Sequence, residues 1–148
     1  MAIIEQSDKS FMQEALKEAR KAFEQDEVPV GAIVVCKNTI IARAYNMVER
    51  LNDVTAHAEM QAITSAAHFL GGKYLSECTL YVTVEPCLMC AGALYWAQIG
   101  GLVYGATDEK RGFRTAANKV LHPKTIVKSA ILETDCHNLM VEFFKRKR

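Results

Sequence analysis

At 148 residues, half of them apolar, the chain can bury one proper core but not two, so a single domain over residues 1–148 is expected. Its 18 basic and 17 acidic residues leave a formal charge of +1, which singles out no class of partner. No apolar run approaches the roughly 20 residues of a membrane span, and the first residues lack a signal-peptide pattern; a cytoplasmic protein with no membrane role is expected.

Ser7 to Phe23 has the spacing of an amphipathic helix, with Phe11, Ala15, Leu16, Ala19 and Phe23 on one face and Ser7 or Asp8 as its cap. The polar run Glu24–Glu27 and Pro29 end it. Ala32–Cys36 then reads as a central strand, and Lys37-Asn38 turns the chain into Ile40–Tyr45 to make a hairpin. Asn46 to Thr55 has no sustained period and reads as a loop, with Thr55 placed to cap a helix over Ala56 to His68 that Gly71-Gly72 stops. Thr79–Val84 forms a strand aimed at Glu85-Pro86-Cys87, and Pro86 suits the opening of a third helix reaching Ile99. That helix is apolar nearly all round, so burial by the sheet and by neighbouring helices or a second subunit is expected.

Leu102–Gly105 is a fourth strand, followed by a loop from Thr107 to Arg114 and a short helix near Ala116 to Leu121. A fifth strand is expected from Ile126 through Leu132. Asp135 is placed to cap a last helix, His137 to Lys145, with Leu139, Met140, Phe143 and Phe144 facing in. Strands separated by helices after one hairpin predict an α/β protein with a mixed five-stranded sheet covered by helices on both faces.

Two short stretches carry chemistry. Cys87 and Cys90, three apart at the start of a helix, can turn both sulfurs toward one point, and His57 in the first turn of another helix can complete a trigonal base for a metal. Three protein ligands leave zinc an open position, the mark of a catalytic rather than a structural site. Glu59 is close enough to reach a water at that position but poorly placed as a fourth ligand, so proton transfer is its expected role. Cys36, Cys78 and Cys136 remain, an odd set that fits reduced thiols packed as small apolar groups better than a disulfide framework.

The His57-Ala58-Glu59 and Pro86-Cys87-Leu88-Met89-Cys90 pair resembles the zinc-dependent nucleobase and nucleoside deaminases. Beyond it, Val28–Ala32, Tyr45-Asn46, Thr55–Glu59, Leu80–Cys87, Met89–Ala93, Gly105-Ala106, Asp108 and Phe143-Phe144 are similar to the bacterial tRNA-specific adenosine deaminases over essentially the whole chain. The resemblance implies a cytidine deaminase-like three-layer α/β/α sandwich, a single zinc-dependent deaminase domain, and a Zn2+ cofactor held by His57, Cys87 and Cys90. It further implies hydrolysis of the wobble adenosine in a tRNA anticodon loop to inosine, with Glu59 as the catalytic proton shuttle and ammonia released. Asn46 and Val30 would contact the flipped base, Asp108 and Lys110 the flanking nucleotides or their sugars, and the protein would work as a homodimer.

One segment departs from the family pattern. Arg111-Gly112-Phe113-Arg114-Thr115 stands where a Gly/Ala/Ser-rich run is usual, which sets the substrate side of that loop apart without touching the zinc residues. Deamination of a free base or nucleoside such as guanine, cytosine or cytidine is the alternative, and a zinc-stabilised module without turnover is a third, which would give Glu59 no task. Lys145, Arg146, Lys147 and Arg148 concentrate four of the 18 basic residues at one end, leaving 14 against 17 acidic over residues 1–144. Such a tail is suited to a phosphate backbone, although a solvated tail is the commoner explanation.

Overall fold

In the computed structural model, which describes residues 2–116 and 119–147, five strands pair into one mixed sheet. Helix α1 (Ala2–Glu24) precedes a hairpin of β1 (Gly31–Cys36) and β2 (Thr39–Tyr45), and α2 (Val48–Leu51) is a single turn before α3 (Ala58–Leu70). The chain continues through β3 (Cys78–Val84), α4 (Leu88–Ala97), β4 (Gly101–Ala106), α5 (Phe113–Ala116), β5 (Ile126–Lys128) and α6 (Glu133–Arg146). The strand order is β2-β1-β3-β4-β5, antiparallel from β2 to β3 and parallel from β3 to β5.

Period-two alternation along the strands builds the layers. Ala32, Val34, Leu80, Val82, Leu102 and Tyr104 share one face with Ala58, Ala62 and Ala66 of α3 and Ala91 and Leu94 of α4. Ile33, Val35, Tyr81 and Val103 take the other, against Met12, Ala15 and Leu16 of α1 and Cys136 of α6. A Cβ on Gly31 would lie 2.1 Å from the Ala15 carbonyl oxygen and 2.3 Å from the Ala19 nitrogen, so glycine is what lets α1 lie this close to the start of β1. All five cysteines are free, and Cys78 and Cys136 are buried. Among the described residues, no helix is long and apolar enough to cross a membrane.

The register decides where the site lies. Gly31 pairs with Tyr45, Ala32 with Val82, and Val84 with Ala106, so the amino end of β1 meets the carboxyl ends of β2, β3 and β4 along one edge. Val30, Asn46, the Glu85–Cys87 turn and the Ala106–Asp108 turn therefore leave the sheet side by side. Open α/β sheets place their ligand crevices at such carboxyl edges.

Several local expectations are corrected by tertiary contacts. The first helix begins at Ala2, not Ser7, because residues 2–6 are helix-compatible; Asp8 is no cap but a buried carboxylate accepting hydrogen bonds from the Tyr81 hydroxyl at 2.6 Å and Lys128 Nζ at 2.9 Å. Thr55 does not cap α3, since its N–H and hydroxyl both donate to Asp53 Oδ1 at 2.8 Å, and His57 occupies the N-cap position instead of the first turn. The loop after β2 contains α2. The fifth strand stops at Lys128, because Ala130 and Leu132 turn to φ of 65° and 55°, and α6 starts at Glu133 rather than at His137. The short helix lies earlier than expected, at Phe113–Ala116; Ala117 and Asn118 of the expected span are outside the described residues. Phe143 is buried, but Phe144 is 47% exposed and faces out.

Candidate metal centre and substrate groove

The two helices that carry the Cys and His residues start at the carboxyl edge of the sheet. Cys87 is the N-cap residue of α4 and His57 that of α3, both in extended backbone, with φ and ψ of −73° and 174° and of −70° and 155°. Neither side chain is spent on capping, so each is free to meet the other residues of the site. Cys90 follows one turn into α4 and is fully buried. His57 Nδ1 lies 3.6 Å from Cys87 Sγ and 3.5 Å from Cys90 Sγ, and the three donor atoms fall within 4.8 Å of one another.

This donor set fits zinc. Tetrahedral bonds of about 2.3 Å to sulfur and about 2.0–2.1 Å to nitrogen require S···N separations of about 3.6 Å. The two separations found, 3.5 and 3.6 Å, meet that requirement. Hydrogen bonds also link the three groups. The one from Cys90, helped by His57, drives the Cys87 thiol down to about 4, while the same contact and burial push Cys90 up. The hydrogen bond to Cys87 raises His57. Both N-caps also sit at the positive ends of helix dipoles, which favour thiolate.

Glu59, in the first turn of α3, is 4% exposed. Burial pushes its carboxyl up to about 7, in the range where one group both takes and returns a proton near neutral pH.

Above these residues lies an open groove of about 1700 Å³. Val30, Asn46, His57, Glu59, Cys87, Asp108 and Lys110 all line it, while Cys90 lies beneath its floor. The candidate metal-holding, proton-transfer and substrate-contact residues are thus brought to one place. Asn46 donates from Nδ2 to the Val28 carbonyl at 3.2 Å and accepts at Oδ1 from the Val48 N–H at 3.3 Å, so its amide is partly engaged by the loop backbone. Asp108 Oδ1 accepts from the N–H groups of Lys110 and Arg111 at 3.1 and 3.0 Å.

Two groove residues went unnoticed in the sequence. Glu27 is 1% exposed and accepts from the N–H groups of Glu49 at 3.0 Å and Arg50 at 2.7 Å, capping α2 from a distance. Glu85, 3% exposed, does the same for the turn after β4. The available signal was a carboxylate directly abutting an apolar run, Glu27 before Val28-Pro29 and Glu85 after Val82-Thr83-Val84.

The basic tail is only partly free. The Arg146 guanidinium stacks 4.2 Å over the Phe23 ring, donates to the Phe23 carbonyl at 3.2 Å and lies 3.5 Å from Asp26 Oδ1, while Lys147 Nζ pairs with Asp26 Oδ2. The bond from Lys147 lowers the Asp26 carboxyl below its ordinary range. Arg148 lies outside the described residues.

Residues 5–106 match the family model of the cytidine and deoxycytidylate deaminase zinc-binding region. A tRNA-specific adenosine deaminase of Aquifex aeolicus is 44% identical over 142 residues, spanning 93% of this chain and 94% of its own length. A structure from studies of A-to-I editing by tRNA:A34 deaminases at the wobble position superposes with a TM-score of 0.82 at 43% identity, over 88% of this chain and 98% of its own. A guanine deaminase from Bacillus subtilis is 37% identical with a TM-score of 0.65, over 74% of this chain and 68% of its own.

Proposed function

The chain belongs to the cytidine and deoxycytidylate deaminase family, in the branch of the tRNA-specific adenosine deaminases, and we propose that it converts the wobble adenosine of tRNA to inosine by zinc-dependent hydrolysis. The observation that carries the polymeric substrate is the groove. Its volume of about 1700 Å³ exceeds the ~300–1,000 Å³ of a small-molecule site, and its walls bear Arg50, Lys110, Arg111 and Lys147 among the carboxylates of Asp26, Glu49, Asp108 and Glu109.

His57, Cys87 and Cys90 hold the metal in this reading, supported by their convergence within 4.8 Å. Zinc bound there supplies Lewis-acid activation of a water, whose pKa falls to about 7 in such sites. Glu59 takes a proton from the attacking water and gives it to the adenine ring nitrogen N1 as the water oxygen bonds to C6. It then passes the second proton to the amino nitrogen as the C6–N6 bond breaks. Water is consumed and ammonia leaves.

Val30 and Asn46 form the wall for the flipped base. Each polar atom of the Asn46 amide has one bonding position left beyond its loop partners, available to the base edge. Asp108 Oδ2 and the Lys110 ammonium serve the flanking sugar and phosphate. The chain acts as one zinc-dependent deaminase domain in the cytoplasm and as a homodimer. Support for the dimer is the outer side of α4, where Leu88, Met89, Tyr95 and Trp96 are exposed, Trp96 to 76%.

The test offers the purified protein an anticodon stem-loop beside free adenine, guanine, cytosine and cytidine, scoring inosine and ammonia. Inosine from the stem-loop is expected. Turnover of guanine with the stem-loop ignored would replace this reading with that of the guanine deaminase neighbour.

A further inference from the structure

The segment that departs from the family pattern is folded around one buried anion. The Glu85 side chain has no exposed surface, yet four donors converge on it, all from residues 108 and 114. Oε1 accepts from the Asp108 N–H at 3.0 Å and from Arg114 Nη2 at 3.1 Å. Oε2 accepts from the Arg114 N–H and from Arg114 Nε, both at 3.1 Å. Gly112 permits the approach: a Cβ there would lie 2.3 Å from the carboxyl carbon of Glu85 and from Oε2. The same segment is stitched to the backbone of the metal-site turn, with the Phe113 N–H donating to the Pro86 carbonyl at 2.9 Å and Gly112 bridging to Cys87.

The result is a loop closed at its base and open at its tip. Gly112 and Phe113 are buried, while Glu109, Lys110 and Arg111 are exposed along the groove. Both ends of the loop present N–H groups that would otherwise be unpaired in a buried place, and a carboxylate with two oxygens can accept them together. An apolar side chain at position 85 would fill the space but leave those donors without partners. Arg114 supplies the balancing charge as a two-pronged guanidinium, which lysine cannot reproduce.

We propose that Glu85 is a positioning residue for the reaction, whose carboxylate, balanced by Arg114 and admitted by Gly112, fixes the Asp108–Lys110 arm against the metal-site turn at Cys87. This deepens the tRNA reading and rests on it for the arm's role in holding nucleotides flanking the target. Glu85 touches no reacting atom. Its effect on turnover passes through where the arm stands.

The test compares E85Q, R114A, G112A, E85A and the E85A/G112A pair as zinc-loaded proteins. In E85Q and in G112A, KM for the stem-loop should rise about tenfold or more, the scale of one lost hydrogen bond to a charged group, while kcat changes less and zinc stays at one per chain. R114A, which keeps its backbone donor, should show the same split more weakly. G112A should add nothing in the E85A background, where the atoms it would strike are gone. Trypsin should cut E85Q and G112A newly at Lys110 or Arg111, a readout that needs no RNA.

A merely structural Glu85 would lower the melting temperature and leave KM of the folded enzyme and the trypsin pattern unchanged; that outcome overturns the proposal. Should E85Q not fold, an unchanged KM and a protected arm in both R114A and G112A overturn it equally. Failure of the wild-type protein to act on the stem-loop would overturn the tRNA reading, and the tryptic pattern would still decide whether Glu85 holds the arm.

Discussion

Truncation after Phe144 removes Lys145, Arg146, Lys147 and Arg148, and the structure sets how much that should matter for RNA binding. Each phosphate that a cation neutralises on single-stranded nucleic acid contributes about 0.7 to the slope of log K against log salt, so a tail engaging one phosphate with each of its four cations would carry about 2.8 of that slope. Two of the four cations already have partners. Arg146 is held by the Phe23 ring, the Phe23 carbonyl and Asp26, and Lys147 by Asp26. With Arg146 and Lys147 held, the flattening expected on truncation is at most about 1.4. Fluorescence anisotropy of a labelled anticodon stem-loop, titrated at several salt concentrations, measures this directly. Asp26→Asn in the intact chain should release Lys147, weaken the hold on Arg146 and steepen the slope. A truncation effect near 2.8 would refute the idea that Asp26 and Phe23 retain their partners, and none at any salt would show the tail to be a solvated end.

Cys90→Ala should lose zinc and lower the melting temperature together, because the free energy of a bound metal adds to that of folding; metal analysis and thermal melts on the same sample check it, and full zinc content would reassign the ligands. Glu59→Ala should keep zinc and stem-loop affinity while losing at least ~100-fold in rate, the low end for general acid–base catalysis, as single-turnover kinetics would show. Loss of zinc in that variant would make Glu59 a ligand. Trp96→Glu should raise the dimer dissociation constant by about 30-fold or more, as expected for an interface aromatic worth about 2 kcal/mol, and sedimentation velocity reads the change.

What the sequence by itself determined is what short-range periodicity and spacing can encode. The i, i+3 separation of Cys87 and Cys90 and the i, i+2 separation of His57 and Glu59 place side chains relative to each other once local conformation is known, and the turn signals around them give that conformation. Short apolar, β-branched runs bounded by turn signals likewise carried the sheet and the hairpin, and the order of strands and helices its cover on both faces. Tertiary structure decided what depends on partners far along the chain. In the turn α2, Asn46 meets only the first N–H group; the next two are met by Glu27, 22 and 23 residues back. The Asp108–Arg114 arm takes its shape from Glu85, 23 and 29 residues away, and Asp8, suited by its position to be a cap, is claimed by Tyr81, 73 residues on. The outer side of α4 is left uncovered by the described residues, with Trp96 mostly exposed; a helix apolar nearly all round does not itself say whether its own chain or a second subunit covers that side. A buried carboxylate must find donors wherever the fold brings them, and a pattern in the sequence records the need without naming the partner.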